Sequence, residues 1–210
     1  MNTNATHESR DTVRQRRSDF ITYLYRLHRD LISPNTHAAA QARRTLATLR
    51  HCLARPRQGV EAYDIIFDFN PPESEQHIWL LTAGLFALHP QPRPETPHRN
   101  SLGGAMGHLA RERGDAVKRR FTQLVSVEPQ ALPHYLRQAV QLLRTGNVPL
   151  NYYRLLDELI ELLADDPHGA RSDHRQRIRL TWARDYHRCS KNTAGHTDSS
   201  DEATPPPATT

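Results

Sequence analysis

Cysteine is scarce in this sequence: Cys52 and Cys189 are the only two, far apart and without metal-ligand spacing. That argues against a disulfide scaffold and for free thiols in a cytoplasmic protein. Long apolar runs are missing too, since no stretch approaches the roughly 20 residues of a membrane-spanning helix. The first ten residues are polar with no apolar centre, so no secretory signal is expected. Hydrophobic residues make up 37% of the 210 and aromatics 7%. This supply suits two small helical bundles with short apolar stripes better than one thick core. Lysine is nearly absent, so the formal charge of +5 is carried by arginine. The planar guanidinium fork matches phosphate oxygens, so an arginine excess leans toward a polyanionic partner. A solvated, mixed-charge surface is the plainer alternative.

The apolar spacing along the chain is that of helices. Residues 1–17 are polar, end in Arg14, Arg16 and Arg17, and read as a frayed or basic lead-in. Phe20, Tyr23, Leu24, Leu27 and Leu31 mark a first helix, and Ser33-Pro34-Asn35-Thr36 stops it. Ala42, Leu46, Leu49 and Leu53 mark a second, closed by Pro56 and Gly59. The stretch Val60 to Phe69 is compatible with a short helix or a strand. Ile78, Leu81, Leu85 and Leu88 give one side of a further helix. Residues 89–101 carry repeated proline, which fixes φ and lacks an N–H, so they read as a linker or mobile loop. Beyond a glycine-containing stretch (103–107), a short helix ends at Gly114, and Asp115 is placed to cap the next, which buries Val117, Phe121, Leu124 and Val125. Leu132, Leu136, Val140 and Leu143, then Leu155, Leu156, Leu159, Ile160 and Leu163, and finally Ile178, Trp182 and Tyr186 give three more helices. Asp166-Pro167-His168-Gly169 makes a turn, and from Ser190 the composition predicts a disordered tail. The expected architecture is all-α: an N-terminal bundle over 18–100, a C-terminal bundle over 101–189, joined by the proline-rich loop, and a tail over 190–210.

The chemistry-bearing residues are cations at helical spacing. Arg43 and Arg50 are seven apart on the second helix, with Arg44 alongside. Lys118, Arg119 and Arg120 form a triplet beside Val117 and Phe121. Arg137, Gln141 and Arg144 line one polar face, and no Asp or Glu occurs between Ala131 and Asn147. Arg175 and Arg179 add a pair at i, i+4 on the last helix. Several acid-free basic runs on consecutive helices are the footprint of a nucleic-acid binder, although any one run alone is more simply a solvated face. Enzyme signatures are weak. Thirteen histidines fall in no metal motif, and His108 with Glu112 is a lone i, i+4 pair. Asp165-Asp166 reads as turn chemistry, and the glycine stretch lacks the Lys-Ser/Thr of a phosphate-binding loop. These glycines are better placed to let helices, or a partner, approach closely. Tyr152 and Tyr153 are the only adjacent aromatic pair, so base stacking is a minor element.

Several stretches follow in a fixed order: Ala-Gln-Ala-Arg-Arg-Thr-Leu (40–46), Leu-Phe-Ala-Leu-His-Pro (85–90), Ser-Leu-Gly-Gly-Ala-Met (101–106), Arg-Arg-Phe-Thr-Gln-Leu-Val (119–125), Leu-Arg-Gln-Ala-Val-Gln-Leu-Leu-Arg (136–144), Val-Pro-Leu-Asn-Tyr-Tyr-Arg-Leu-Leu-Asp-Glu-Leu (148–159) and Arg-Leu-Thr-Trp-Ala-Arg-Asp-Tyr (179–186). As an ordered set they resemble the CasB family, the small subunit of the type I-E CRISPR surveillance complex Cascade. The resemblance covers about residues 20–188. It implies two small helical domains, no catalytic activity, and no cofactor or metal. It also implies a place in the belly of the complex as a head-to-tail pair with a second copy, among the other Cascade subunits. There such a subunit contacts the backbone of the guide RNA and target DNA and helps hold the displaced strand. Arg43, Arg44, Arg119, Arg120 and Arg137 stand at the matching basic positions. Gln138 and Gly104 stand where the family often has a basic residue, so each lacks that charge here. A DNA-binding regulator of helix-turn-helix type is the rival reading, but the helix over 147–163 carries Asp157, Glu158 and Glu161 and is too acidic to read bases.

Overall fold

The computed structural model describes residues 3–54, 60–94, 100–165 and 171–191, with side chains described from residue 11 onward. Every regular element among them is helical, as the all-α expectation requires: α1 Thr3–Leu31, α2 Thr36–Ala54, α3 Val60–Phe67, α4 Gln76–Leu88, α5 Leu102–Arg113, α6 Asp115–Ser126, α7 Leu132–Thr145, α8 Tyr152–Leu163 and α9 Ser172–Lys191. A single 3-10 turn, Glu73–Glu75, leads into α4. The expected stops at Pro56 and Gly59, the turn from Asp166 to Gly169, residues 95–99 of the proline-rich segment and the tail from residue 192 lie outside the described residues.

Some boundaries differ from the sequence reading. The basic lead-in is helical from Thr3, continuous with the rest of α1. Its arginines are drawn down onto neighbouring elements, because Arg16 Nη1 donates to the Asn70 carbonyl (3.1 Å) and Arg17 forks onto both oxygens of Glu75. The ambiguous Val60 segment is helix α3. Asp115 is not a cap: Gly114 holds the N-cap position at φ 64°, and Asp115 lies in the first turn, where its charge favours the helix dipole. Helix α9 continues two residues past Cys189, to Lys191.

Helix α4 is the centre of the packing. Ile78, Trp79, Leu80, Thr82, Ala83, Gly84, Leu85, Phe86 and Ala87 are all buried, so it is covered all round rather than along one stripe. It packs against α2, α3, α7 and α8, while α1 lies across α2 and α8. Phe20 of α1 stacks on Trp79 with ring centroids 4.7 Å apart, and Tyr25, Phe86 and Tyr152 meet edge to face. At the other end α5 lies along α9 and touches α6, and the buried side chains form one continuous apolar cluster from Phe20 to Trp182.

The closest helix pair is made by the glycine stretch, which lies inside α5 rather than ahead of it. A Cβ on Gly103 would sit in the backbone of Trp182, 2.7 Å from its Cα, and one on Gly107 would be 2.5 Å from the Tyr186 carbonyl oxygen. Two glycines four apart thus clear a track on α5 for the α9 backbone. The proline-rich segment is held at both described flanks by the loop before α8. His89 Nε2–H donates to the Val148 carbonyl (2.9 Å), the Gln91 carboxamide oxygen accepts from Leu150 N–H (2.7 Å), and Asn151 N–H donates to the Asn100 carbonyl (2.9 Å).

Two predictions follow from this packing. Gly103→Ala and Gly107→Ala each force α5 away from α9 and should lower unfolding stability by roughly 3 kcal/mol, whereas Gly114→Ala meets open space and costs about 1–3 kcal/mol through its φ of 64° and ψ of −143° alone. Urea denaturation measures all three, and no loss at Gly103 or Gly107 would show that the close approach is not maintained in solution. The second concerns His89, whose pKa is lowered by burial and by Arg144, with His28 nearby lowered in the same sense. The unfolded imidazole, near 6.5, takes up its proton first. Stability is therefore complete above that value and declines as pH falls toward the folded pKa. The melting temperature should drop as pH falls below about 6.5, and His89→Gln should flatten the drop. An unaltered pH profile in that variant would remove His89 as the cause.

Candidate nucleic-acid interface

The arginines of this chain do two different jobs, and their geometry separates them. One set is built into the fold. Arg137 of α7 donates to the Leu53 carbonyl in the last turn of α2. Arg113 of α5 reaches Thr145 at the end of α7, 2.7 Å to its carbonyl and 2.6 Å to its hydroxyl. From α9, Arg175 donates to the Ala164 carbonyl that follows α8 (2.6 Å), and Arg179 forks onto the Val125 and Val127 carbonyls at the end of α6 (3.2 and 2.5 Å). The last carbonyls of a helix lack partners within it and carry the negative end of the helix dipole, so a guanidinium meets both needs.

A second part of the built-in set lies in partly buried ion pairs around the two tryptophans. Trp79 Nε1–H donates to Glu75 (3.0 Å), and Arg17 binds Glu75 and Asp157. Trp182 Nε1–H donates to Glu158 (2.7 Å), and Arg154 bridges Glu158 (2.7 Å) and Asp185 (3.1 Å). Asp185 also accepts from the Ser101 hydroxyl (2.6 Å), whose oxygen caps α5 by accepting from Gly104 N–H. Burial still pushes the Glu158 carboxyl above its ordinary value, against the pull of Arg154 and the Trp182 indole. Neither Glu158 nor Asp157 pairs with Arg120 or Arg137.

The other set faces solvent. Arg43 and Arg44 on α2, Lys118, Arg119 and Arg120 on α6, and Arg144 on α7 are exposed and have no hydrogen bond or ion pair with a described residue. Arg50 is exposed too, but its Nε returns to the Leu46 carbonyl of its own helix (3.2 Å). Lys118 and Arg119 line a shallow groove with Asp115, Thr122 and Gln123. Arg137 lines a different cleft, of about 500 Å³, with Leu53, Leu80, Leu81 and Pro133 at the junction of α2, α4 and α7. Its guanidinium is thereby turned away from the α6 groove. Arg175 and Arg179, read from the sequence as an added basic pair, are likewise spent on helix ends. Arg111 and Arg184 are exposed and unpaired among the described residues, and sequence spacing had not singled them out. Arg184 stands seven residues after Arg177, which was the available signal.

Aromatic side chains contribute little to this surface. Tyr152 is fully buried with its hydroxyl on the Leu85 carbonyl, and Tyr153 has Arg93 over its ring at 5.5 Å. No group of three His, Cys, Asp or Glu side chains that could hold a metal occurs among the described residues, and His108 and Glu112 are both exposed. No helix among them is long and apolar enough to cross a membrane.

Comparison with known proteins gives the following. The family model for CRISPR-associated protein Cse2 matches residues 45–187, about two-thirds of the chain. The fold is similar to CasB from Thermobifida fusca, at 27% identity and a TM-score of 0.56, over 80% of this chain and 97% of that one. It is also similar to M. ruber CasB, at 23% identity and a TM-score of 0.57, over 82% and 93%. A chain of a CRISPR RNA-guided surveillance complex matches at 16% identity and a TM-score of 0.60, over 86% and 94%. No curated protein sequence matches.

The division of the arginines predicts opposite effects of similar substitutions. Arg179→Ala leaves two helix-end carbonyls unpaired and should cost about 1–3 kcal/mol, visible as a lower melting temperature, and Arg137→Ala should behave the same way. Arg119→Ala and Arg43→Ala should leave melting unchanged. Equal melting for all four variants would show that the helix-end contacts are not made.

Proposed function

Because the chain belongs to the CRISPR-associated protein Cse2 family, we propose that it is the non-catalytic small subunit of a type I-E CRISPR surveillance complex, gripping nucleic-acid backbones without reading their sequence. In this reading it contacts guide RNA and target DNA, helps hold the displaced strand, and thereby stabilises the R-loop in antiviral defence. Its partners are the other Cascade subunits and a second copy of itself arranged head to tail. The division into two bundles between residues 89 and 115 belongs to the same proposal.

The observation that carries the reading is the set of exposed, unpaired cations on α2 and α6, standing apart from the arginines consumed by the fold. Each phosphate that such a cation neutralises releases condensed counterions, which gives affinity without base recognition. In guide-directed complexes base pairing supplies sequence selection, so an accessory subunit needs only this grip. The dearth of exposed aromatic rings among the described residues, where Phe67 alone is exposed, agrees, because it leaves little area for base stacking. Arg43, Arg44, Lys118, Arg119, Arg120 and Arg144 are the proposed contacts. Arg50 is a weaker member, and Arg137 supports the site by holding α7 against α2.

Alanine substitution of each exposed cation, with DNA affinity measured at several salt concentrations, tests the proposal. Each true contact removed should weaken binding similarly for all sequences and lower the salt slope by about one, with melting unchanged. Affinity and slope that stay constant across Arg43→Ala, Arg119→Ala and Arg120→Ala would refute the grip. Sequence-dependent losses would instead favour a base-reading regulator.

A further inference from the structure

Helix α1 carries cations that the surfaces on α2, α6 and α7 leave out of account. Arg14, Ser18, Thr22 and Arg26 follow one another at i, i+4 spacing, a row about 18 Å long. Two hollows lie along it. One, of about 540 Å³, is bordered by Arg14, Ser18 and Ile21 of α1, by Leu156 of α8, and by Arg93 and Pro94. The other, of about 350 Å³, is bordered by Thr22, Arg26, Arg29 and Ile32, and by Pro92 and Arg93. Arg93 belongs to both, so the hollows meet at its side chain and make one groove between α1 and the 92–94 segment. The acids bordering the groove are Asp11 and Asp157, and Asp157 is held by Arg17. Nearby, Asp19 accepts from Gln15, and Asp30 lies 3.8 Å from Arg29. Arg14, Arg26 and Arg93 are exposed and have no hydrogen bond or ion pair with a described residue. Two of them are still held in place. Arg93 lies over the Tyr153 ring at 5.5 Å and Arg26 over the Tyr23 ring at 5.2 Å. A ring face orients a guanidinium without neutralising it, unlike the carboxylates that occupy Arg17 and Arg154.

We propose that this groove binds single-stranded nucleic acid, with phosphates on Arg14, Arg93 and Arg26 in turn and sugars or bases on the apolar floor of Ile21, Leu156 and Pro92. Cations spaced along an apolar trough match a polymer that carries one anion and one flat apolar group in every unit. A duplex keeps its bases stacked and paired inside, so it offers such a trough phosphates alone, whereas a single strand also offers base faces. Contacts of this kind tolerate any sequence, because every base has an apolar face. The proposal rests on the nucleic-acid reading of the chain but uses a surface separate from the cations of α2 and α6, so the two can fail independently.

The test uses the full-length chain as wild type, R14A/R26A/R93A and R14K/R26K/R93K, with Arg17 left intact because it holds Glu75. The probes are an oligothymidylate of about 20 nucleotides and a duplex of the same length. The alanine variant should melt like wild type, bind the oligothymidylate about tenfold more weakly at about 0.1 M salt, and show a salt slope lower by about two, since three single-strand contacts count about 0.7 each. Its duplex affinity should change less than about twofold, and the lysine variant should recover most of the single-strand affinity. Unchanged oligothymidylate affinity in the alanine variant, with a loss in R119A/R120A, overturns the groove and leaves the proposed function standing. The reverse pattern keeps the groove and removes the α6 contacts. Equal losses for duplex and single strand, or equal weakness of the alanine and lysine variants, overturn the single-strand seat. Wild type that binds neither probe overturns both readings. Polyglutamate that displaces the oligothymidylate from wild type at equal charge concentration would assign the groove to an acidic polypeptide instead.

Discussion

Each helix end leaves carbonyl oxygens without partners in its own ladder, and satisfying them in a bundle of short helices is the constraint on which this structure depends. Left-handed glycine caps are one common solution, but the chain has nine glycines in all and uses several for close packing instead. Arginine takes their place. The ends of α2, α6, α7 and α8 each receive a guanidinium from another helix, through Arg137, Arg179, Arg113 and Arg175. Each such contact is local chemistry and long-range connection at once, since it closes a helix and fixes a neighbour's position along it. The two buried Trp–Glu–Arg arrangements extend the principle to side chains: the indole N–H and the guanidinium both satisfy the carboxylate, and the carboxylate lets both be buried.

This division sets the electrostatics of the surface. Net charge alone would assign every arginine to a polyanionic partner, yet those that hold helix ends offer few free donors. What is left among the described residues includes exposed cations grouped on α2 and α6, with Arg111, Arg144 and Arg184 standing singly on α5, α7 and α9. Because Lys118 and Arg119 border their own shallow groove, while Arg137 faces the α2–α4–α7 junction, the cations are distributed over separate places. A distributed set of weak contacts is of little use to a protein that must find nucleic acid alone. It agrees with the proposed reading, in which an assembly holds the chain against the strand at high effective concentration and individually weak contacts add.

The helices themselves were readable because apolar residues recur at helical spacing. Leu46, Leu49, Leu136, Val140, Leu155 and Leu159 were expected in the core and are there. Helix α4 shows where one-stripe reasoning stops: it is buried on all sides, which its apolar run Ile78 to Leu81 signals but its assumed amphipathic face does not. The lead-in to α1 was read as loose because it lacks apolar spacing, yet Arg16 and Arg17 pin it through polar contacts that no periodicity records. The candidate site was legible only in part. Spacing finds cations on one face of a helix, but which of them a neighbouring helix consumes is a fact of tertiary packing. Arg175 and Arg179 looked like a basic pair and are caps, whereas Arg111 and Arg184 look unremarkable and stand free.

The same packing accounts for the small exposed aromatic area among the described residues. Tyr152 and Tyr153 are adjacent in sequence, but adjacency on a helix turns two side chains about 100° apart, so they cannot present one platform. Tyr152 goes inward, where its backbone N–H meets the Tyr25 hydroxyl and its own hydroxyl meets the Leu85 carbonyl. Tyr153 lies at the rim, where its hydroxyl meets Thr22 and Arg93 covers its ring. Both rings are used in joining α1 and α4 to α8, so the aromatic supply, small from the start, goes to the junction between the two halves of the chain. Phe67 of α3 is the only exposed Phe, Tyr or Trp ring among the described residues, and in the proposed reading a surface of charge with so little aromatic area follows a phosphate backbone rather than discriminating among bases. In that reading, sequence selection comes from another component of the proposed assembly.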